Sequence, residues 1–155
     1  MERATPAAGK DNSVIYGRRT SIARRDRMLQ PSEVTAGKLL PTIRARLAQQ
    51  LLVKHGMKQV AVAKSLGITQ AAVSHYNTKS RGLDEELLRR FPEIDRFVED
   101  LAGRIADGMP QTEQIAKINE FCAGLMGTVR FCEYHKTISD IDRTCAVCFP
   151  SDSKP

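Results

Sequence analysis

QVAVAKSLGITQAAVSHYNTKSRG, residues 59–82, is the stretch whose reading decides the fold. The spacing predicts a short helix over residues 59–65, a turn at Leu66-Gly67-Ile68 and a further helix from Gln70, with Thr69 as its N-cap. Two helices that cross at a tight angle need a small side chain at their closest approach, and Ala63 supplies it. The turn needs a positive φ, which glycine reaches without steric cost, and Gly67 follows four residues later. Val60, Leu66, Ile68, Val73 and Tyr76 fall at the offsets of core anchors. The outward face of the later helix is then left with Gln70, Ala71, Ser74, His75 and Asn77, which are small or polar and carry no carboxylate. Ser80-Arg81-Gly82 breaks the pattern.

Outward from this stretch, helical periodicity dominates, and the fold class expected is all-α. From Pro41 the residues Ile43, Leu47, Leu51 and Leu52 share one helix face, with the proline suited to a first turn. His55-Gly56 ends that helix. A short helix is expected over 84–90. A longer one spans 92–106, with Ile94, Phe97, Val98, Leu101 and Ile105 on one face. Another spans 112–126, with Ile115, Ile118, Phe121, Cys122 and Leu125 apolar. After Gly127 the helical period is lost, and the remainder reads as turn-like and cysteine-rich. Residues 1–30 show no sustained periodicity and read as a disordered basic extension, in which RRTSIARRDR adds phosphate contacts or only solvates. The organisation expected is 1–30 extension, 31–83 helix-turn-helix domain, 84–126 helical linker region, and 127–150 cysteine-rich module.

Composition narrows the function classes. The chain has 155 residues, 41% of them hydrophobic, with no tryptophan and only 5% aromatic residues. A modest core fits this, and a large aromatic-lined pocket does not. No apolar run approaches the ~18 residues of a membrane span, and the N-terminus lacks an apolar signal region. A cytoplasmic location is expected, where cysteines stay reduced and bind metal more often than they form disulfides. The net charge is +6, and its distribution says more. Residues 41–81 hold seven Lys/Arg and no carboxylate, whereas residues 82–155 hold nine basic and fourteen acidic side chains. Nothing acidic occurs between Glu33 and Asp84, which suits a surface that faces a polyanion.

With Ala63, Gly67 and Val73 in register, the stretch resembles the lambda-repressor-like helix-turn-helix superfamily. More narrowly, PSE (31–33), LLPTIRARLA (39–48), LGITQAAVSHY (66–76) and SRG (80–82) resemble a family of predicted archaeal-type transcriptional regulators with a cysteine-rich C-terminal tail. That likeness covers about three quarters of the chain. Ser32 stands where that family usually carries cysteine, so any role of that thiol is absent here. The superfamily's docking mode implies that the helix from Gln70 lies in the major groove of double-stranded DNA. Gln70 would meet a phosphate or an adenine, and Thr69, Ala71, Ser74 and His75 would face bases. Lys58, Lys64, Asn77, Lys79 and Arg81 would contact the backbone and set register. One such unit reads few base pairs, so a homodimer on a two-fold site is expected, with the helix over 92–106 as its candidate face unless that stripe serves as core.

The four cysteines lie within residues 122–148. Cys132-x2-His135 and Cys145-x2-Cys148 form two short chelating loops nine residues apart, a spacing that suits one tetrahedral Zn2+. The rival set, Cys122, Cys132, Cys145 and Cys148, offers four thiolates to an iron–sulfur cluster. In the resembled family a further cysteine stands three residues before Cys122, where this chain has Asn119. Reduced free thiols, with Cys122 facing a helical core, are the third possibility. Zinc would fold a tail poor in apolar content, whereas an iron–sulfur centre would sense redox state, oxygen or iron. An enzyme is not expected, since the sequence shows no phosphate-binding glycine loop and no acid/base pair. The competing expectation is a helix-turn-helix scaffold that acts as a protein-interaction adaptor through its cysteine tail.

Overall fold

The computed structural model describes residues 27–78 and 83–148, and its regular structure there is entirely helical. Helical backbone begins earlier than the Pro41 expected from periodicity. Helix α1 (Pro31–Val34), a π-helical stretch (Thr35–Leu39) and α2 (Leu40–Val53) run on continuously. Pro31 opens the first turn, and the Gln30 amide donates to Glu33 Oε2 at 2.8 Å. Pro41 therefore lies inside a helix rather than at its start. Proline removes a backbone donor, and the wider π turn just before it is where such a defect is absorbed.

Helix α2 is the axis of the molecule. It packs most extensively against α6 (Glu93–Ala106) and then against α4 (Gln70–Asn77) and α3 (Gln59–Leu66). Ile43, Leu47, Ala48 and Leu51 of α2 are fully buried, while Leu52 is half-buried. Helix α5 (Glu85–Arg90) is capped by Asp84, whose carboxylate accepts from the Leu87 amide at 3.0 Å. It delivers Leu87 and Phe91 to the same core. Helices α7 (Gln111–Met126) and α8 (Val129–Ile138) complete the bundle.

Several expectations need correction. Of the α6 stripe, Ile94, Val98, Leu101 and Ile105 are buried within this chain and half-buried Phe97 stacks on Phe121, so the stripe serves as core, the alternative to a dimer face. Val60 is 63% exposed, and Val62 takes its place inside. Two residues turn a helix by more than half a revolution, so Val62, Ala63 and Leu66 define the inner face and Val60 the outer. Ile115 is likewise 59% exposed, displaced by its neighbour Gln114, whose Nε2 donates to the Met109 carbonyl at 3.0 Å.

The largest departure follows Gly127. Residues 129–138 are a helix, with Thr128 as N-cap accepting from the Phe131 amide. Phe131 and Tyr134 join the core beside Phe91 and stack edge-on or tilted against it. Arg90 lies over the Tyr134 ring and Arg130 over that of Phe91. At the other end of the chain, residues 27–30 are held against α8: the Leu29 amide donates to Ser139 Oγ at 2.8 Å and the Asp140 amide to the Arg27 carbonyl at 3.2 Å. The remainder of the expected disordered extension, residues 1–26, lies outside the described residues.

Candidate nucleic-acid interface

The turn between α3 and α4 is built as its sequence requires. Gly67 adopts φ +63°, in the left-handed region that glycine tolerates. The Ile68 amide donates to the Ala63 carbonyl at 3.0 Å and the Gly67 amide to the Lys64 carbonyl at 3.3 Å, the paired closure of a Schellman motif. Thr69 then caps α4, its Oγ1 accepting from the Ala72 amide at 3.1 Å. Val73 is fully buried, and Ala72 and Tyr76 are half-buried, so the inner face of α4 is fixed. Gln49 Nε2 donates to the Tyr76 carbonyl at 3.1 Å and pins α4 to α2.

Every other described α4 residue of the expected interface points to solvent. Thr69, Gln70, Ala71, Ser74, His75 and Asn77 are all exposed. They form one continuous surface with neither a carboxylate nor a bulky apolar group. Lys58 and Lys64 are exposed on α3 and its N-cap, while Lys79 and Arg81 lie outside the described residues.

The acid-free run in the sequence is not acid-free in space. Arg46 donates to Asp95 on α6 through Nε and Nη2, at 2.8 and 2.6 Å, and Lys54 pairs with Glu99 at 2.6 Å. Lys38 pairs with Asp84, and this hydrogen bond, working against burial, holds the ammonium above its ordinary pKa. These cations are spent on holding helices together. Among the described residues, Arg44, Lys58 and Lys64 carry no such ion pair and retain their charge toward solvent.

One contributor was missed by sequence reasoning. Gln111, the first residue of α7, reaches the end of α3: its Nε2 donates to the Lys64 carbonyl at 2.7 Å and lies 3.4 Å from where a Cβ on Gly67 would stand. It gives the Lys64 carbonyl, which also accepts from the Gly67 amide, a second donor, and it lies 3.4 Å from the Ser65 carbonyl oxygen at the same helix end. No local signal marks it, because its partners are some forty-seven residues away.

The five candidate metal ligands divide. Cys122 is buried in the α7 face of the core, and burial pushes its thiol up to about 11. Cys132 is buried on α8, and burial raises its pKa while the Lys136 charge opposes the shift. Cys145 is half-buried and Cys148 exposed. His135 is 5% exposed, with Nε2 2.6 Å from the Leu29 carbonyl oxygen. Among the described residues, no three His, Cys, Asp or Glu side chains are grouped closely enough to hold a metal ion.

No protein-family model matches the chain, and comparison with curated proteins and with solved structures returns no significant match. Among the described residues no helix is long and apolar enough to cross a membrane.

Proposed function

We propose that this chain is a sequence-specific DNA-binding transcriptional regulator with a helix-turn-helix of the lambda-repressor-like kind, acting as a homodimer. The observation that carries this reading is the outer face of α4. A helix set by a Schellman turn, a threonine cap and a buried valine carries Gln70, Ala71, Ser74 and His75 exposed on its outer face, with no carboxylate among them. Gln70 would bond a phosphate or an adenine edge, and Ala71 suits a thymine methyl group. Lys58 and Lys64 flank this face and would neutralise phosphates. Since the α6 stripe is core, a dimer would form through another surface.

The cysteine end would bind metal. A zinc ion would tie residues 140–148 to α8 through Cys132, Cys145, Cys148 and His135. The iron–sulfur alternative needs Cys122 as its fourth thiolate, and Cys122 packs in the hydrophobic core from α7 whereas Cys132 does not. The adaptor reading draws on Val60, an apolar side chain 63% exposed on α3. Selection from a randomised duplex pool separates the two. Enrichment of one sequence by the wild type, relaxed at single positions by Gln70→Ala and Ser74→Ala, supports the DNA reading. A pool left unenriched, with protein that remains folded, supports the adaptor.

A further inference from the structure

We infer that two copies of this chain meet through the groove between α6 and α7, each presenting the same face to the other about a twofold axis. The inference rests on the proposed homodimer and names its surface, which is not the buried α6 stripe but the groove beside it.

Helices α6 and α7 form a hairpin. Phe97 stands nine residues before the end of α6 and Phe121 ten after the start of α7. Their rings stack with centroids 4.0 Å apart and planes 5° from parallel, so the two helices run antiparallel, side by side. Both rings are only half-buried, and each keeps apolar surface in water. Beside them lies a groove of about 330 Å3 whose apolar lining also includes buried Leu101.

The charges around the groove select its occupant. Asp100 and Arg104 come from α6, Lys117 and Glu120 from α7. Asp100 pairs with Arg104 at 3.1 Å and Glu120 with Lys117 at 3.0 Å, so each wall carries one charge of each sign. The other α6 carboxylates are drawn elsewhere: Glu93 to Arg130, Asp95 to Arg46 and Glu99 to Lys54. A twofold axis sets a surface against itself, so a patch of one sign repels its own copy. The α4 face, flanked by Lys58 and Lys64 with no carboxylate among its exposed residues, is such a patch. A groove with two cations and two carboxylates can instead match each charge to its opposite. Exposed pairs within one helix are worth little in water, so they exchange readily for pairs across the axis. No groove residue belongs to α3 or α4, and the contact leaves both α4 faces free. Gln111, at the start of α7, holds the end of α3, so a contact through α7 bears on the turn that sets α4.

The test is sedimentation equilibrium of the full chain and of two doubly substituted variants. With Asp100→Lys and Glu120→Lys the groove carries four cations; with Arg104→Glu and Lys117→Glu it carries four carboxylates. The replaced side chains are 43–73% exposed, so the fold tolerates these changes, and the urea midpoint verifies it. The expected result is a wild-type dimer and, for each variant alone, self-association weakened by about a hundredfold or more. An equimolar mixture of the two variants should recover a dimer of one copy of each. A variant that dimerises as tightly as the wild type, or a mixture that stays monomeric, overturns this inference and leaves the homodimer to another surface. A folded wild type that stays monomeric at every concentration overturns both.

Discussion

The α3–α4 hairpin and the α8 end of the chain use their distinctive residues in opposite ways. In the hairpin the residues that set the fold (Ala63, Gly67, Val73) differ from those that face outward (Gln70, Ser74, His75). In α8 the two sets overlap. Cys132 and His135 are candidate ligands, and they are also buried parts of the helix's inner face. Function and stability are therefore separable by mutation in the hairpin and entangled in α8. A substitution on the outer face of α4 tests the proposed recognition without disturbing the core, whereas one in α8 also tests the core.

The sharpest way to break this comparison is Tyr134→Ala. Its side chain is fully buried, and removing a buried aromatic costs about 3–5 kcal/mol. Because Tyr134 shares one core with Val62 and Val73, urea should unfold α4 and α8 together at a much lower midpoint. Amide exchange at Val73 unchanged by this variant would show that α8 is a separate module after all. Gly67→Ala comes next. A left-handed alanine costs about 1–2 kcal/mol, and its Cβ would also meet Gln111. Its denaturation midpoint should fall accordingly, with Gly67→Asn milder than Gly67→Ala. Thr69→Ala should cost about 1 kcal/mol through the lost cap and Thr69→Ser almost nothing, read from the same curves.

The smallest effect concerns Cys122. Its thiol pKa rises from 9.0 to about 11 in the fold, so the unfolded chain gives up the proton first as pH increases. The stabilisation from keeping it neutral is fully present below pH 9 and is lost as pH rises through about 11. The decline in stability over this window should shrink in Cys122→Ala. At neutral pH, alkylation of the folded protein should label exposed Cys148 well before Cys122.

The hairpin was readable because its determinants are local: a small residue, a glycine and a cap act within fifteen residues of one another. Val60 misled because it lies on the outer side of α3, two positions from the true anchor. Helix α8 was hidden although its period is present. Phe131, Tyr134, His135 and Ile138 follow the i, i+3, i+4, i+7 spacing of one helix face. Cysteines and a histidine at ligand spacing had claimed those positions for a metal loop instead. The charge pattern was half readable. The run of cations was evident, but the pairing of Arg46 with Asp95 and Lys54 with Glu99 depends on α2 packing against α6, which no local spacing encodes.

On the proposed function, the outer face of α4 reads DNA. The most direct test measures affinity for a selected duplex and for a scrambled one as salt is raised. Log affinity for both should fall linearly with log salt, while the selected duplex stays favoured throughout. Lys58→Gln and Lys64→Gln should each flatten the slope by about one. Ser74→Ala should narrow the gap between duplexes and leave the slope unchanged. Equal affinity for the two duplexes, or no salt-dependent binding by the folded protein, would contradict it.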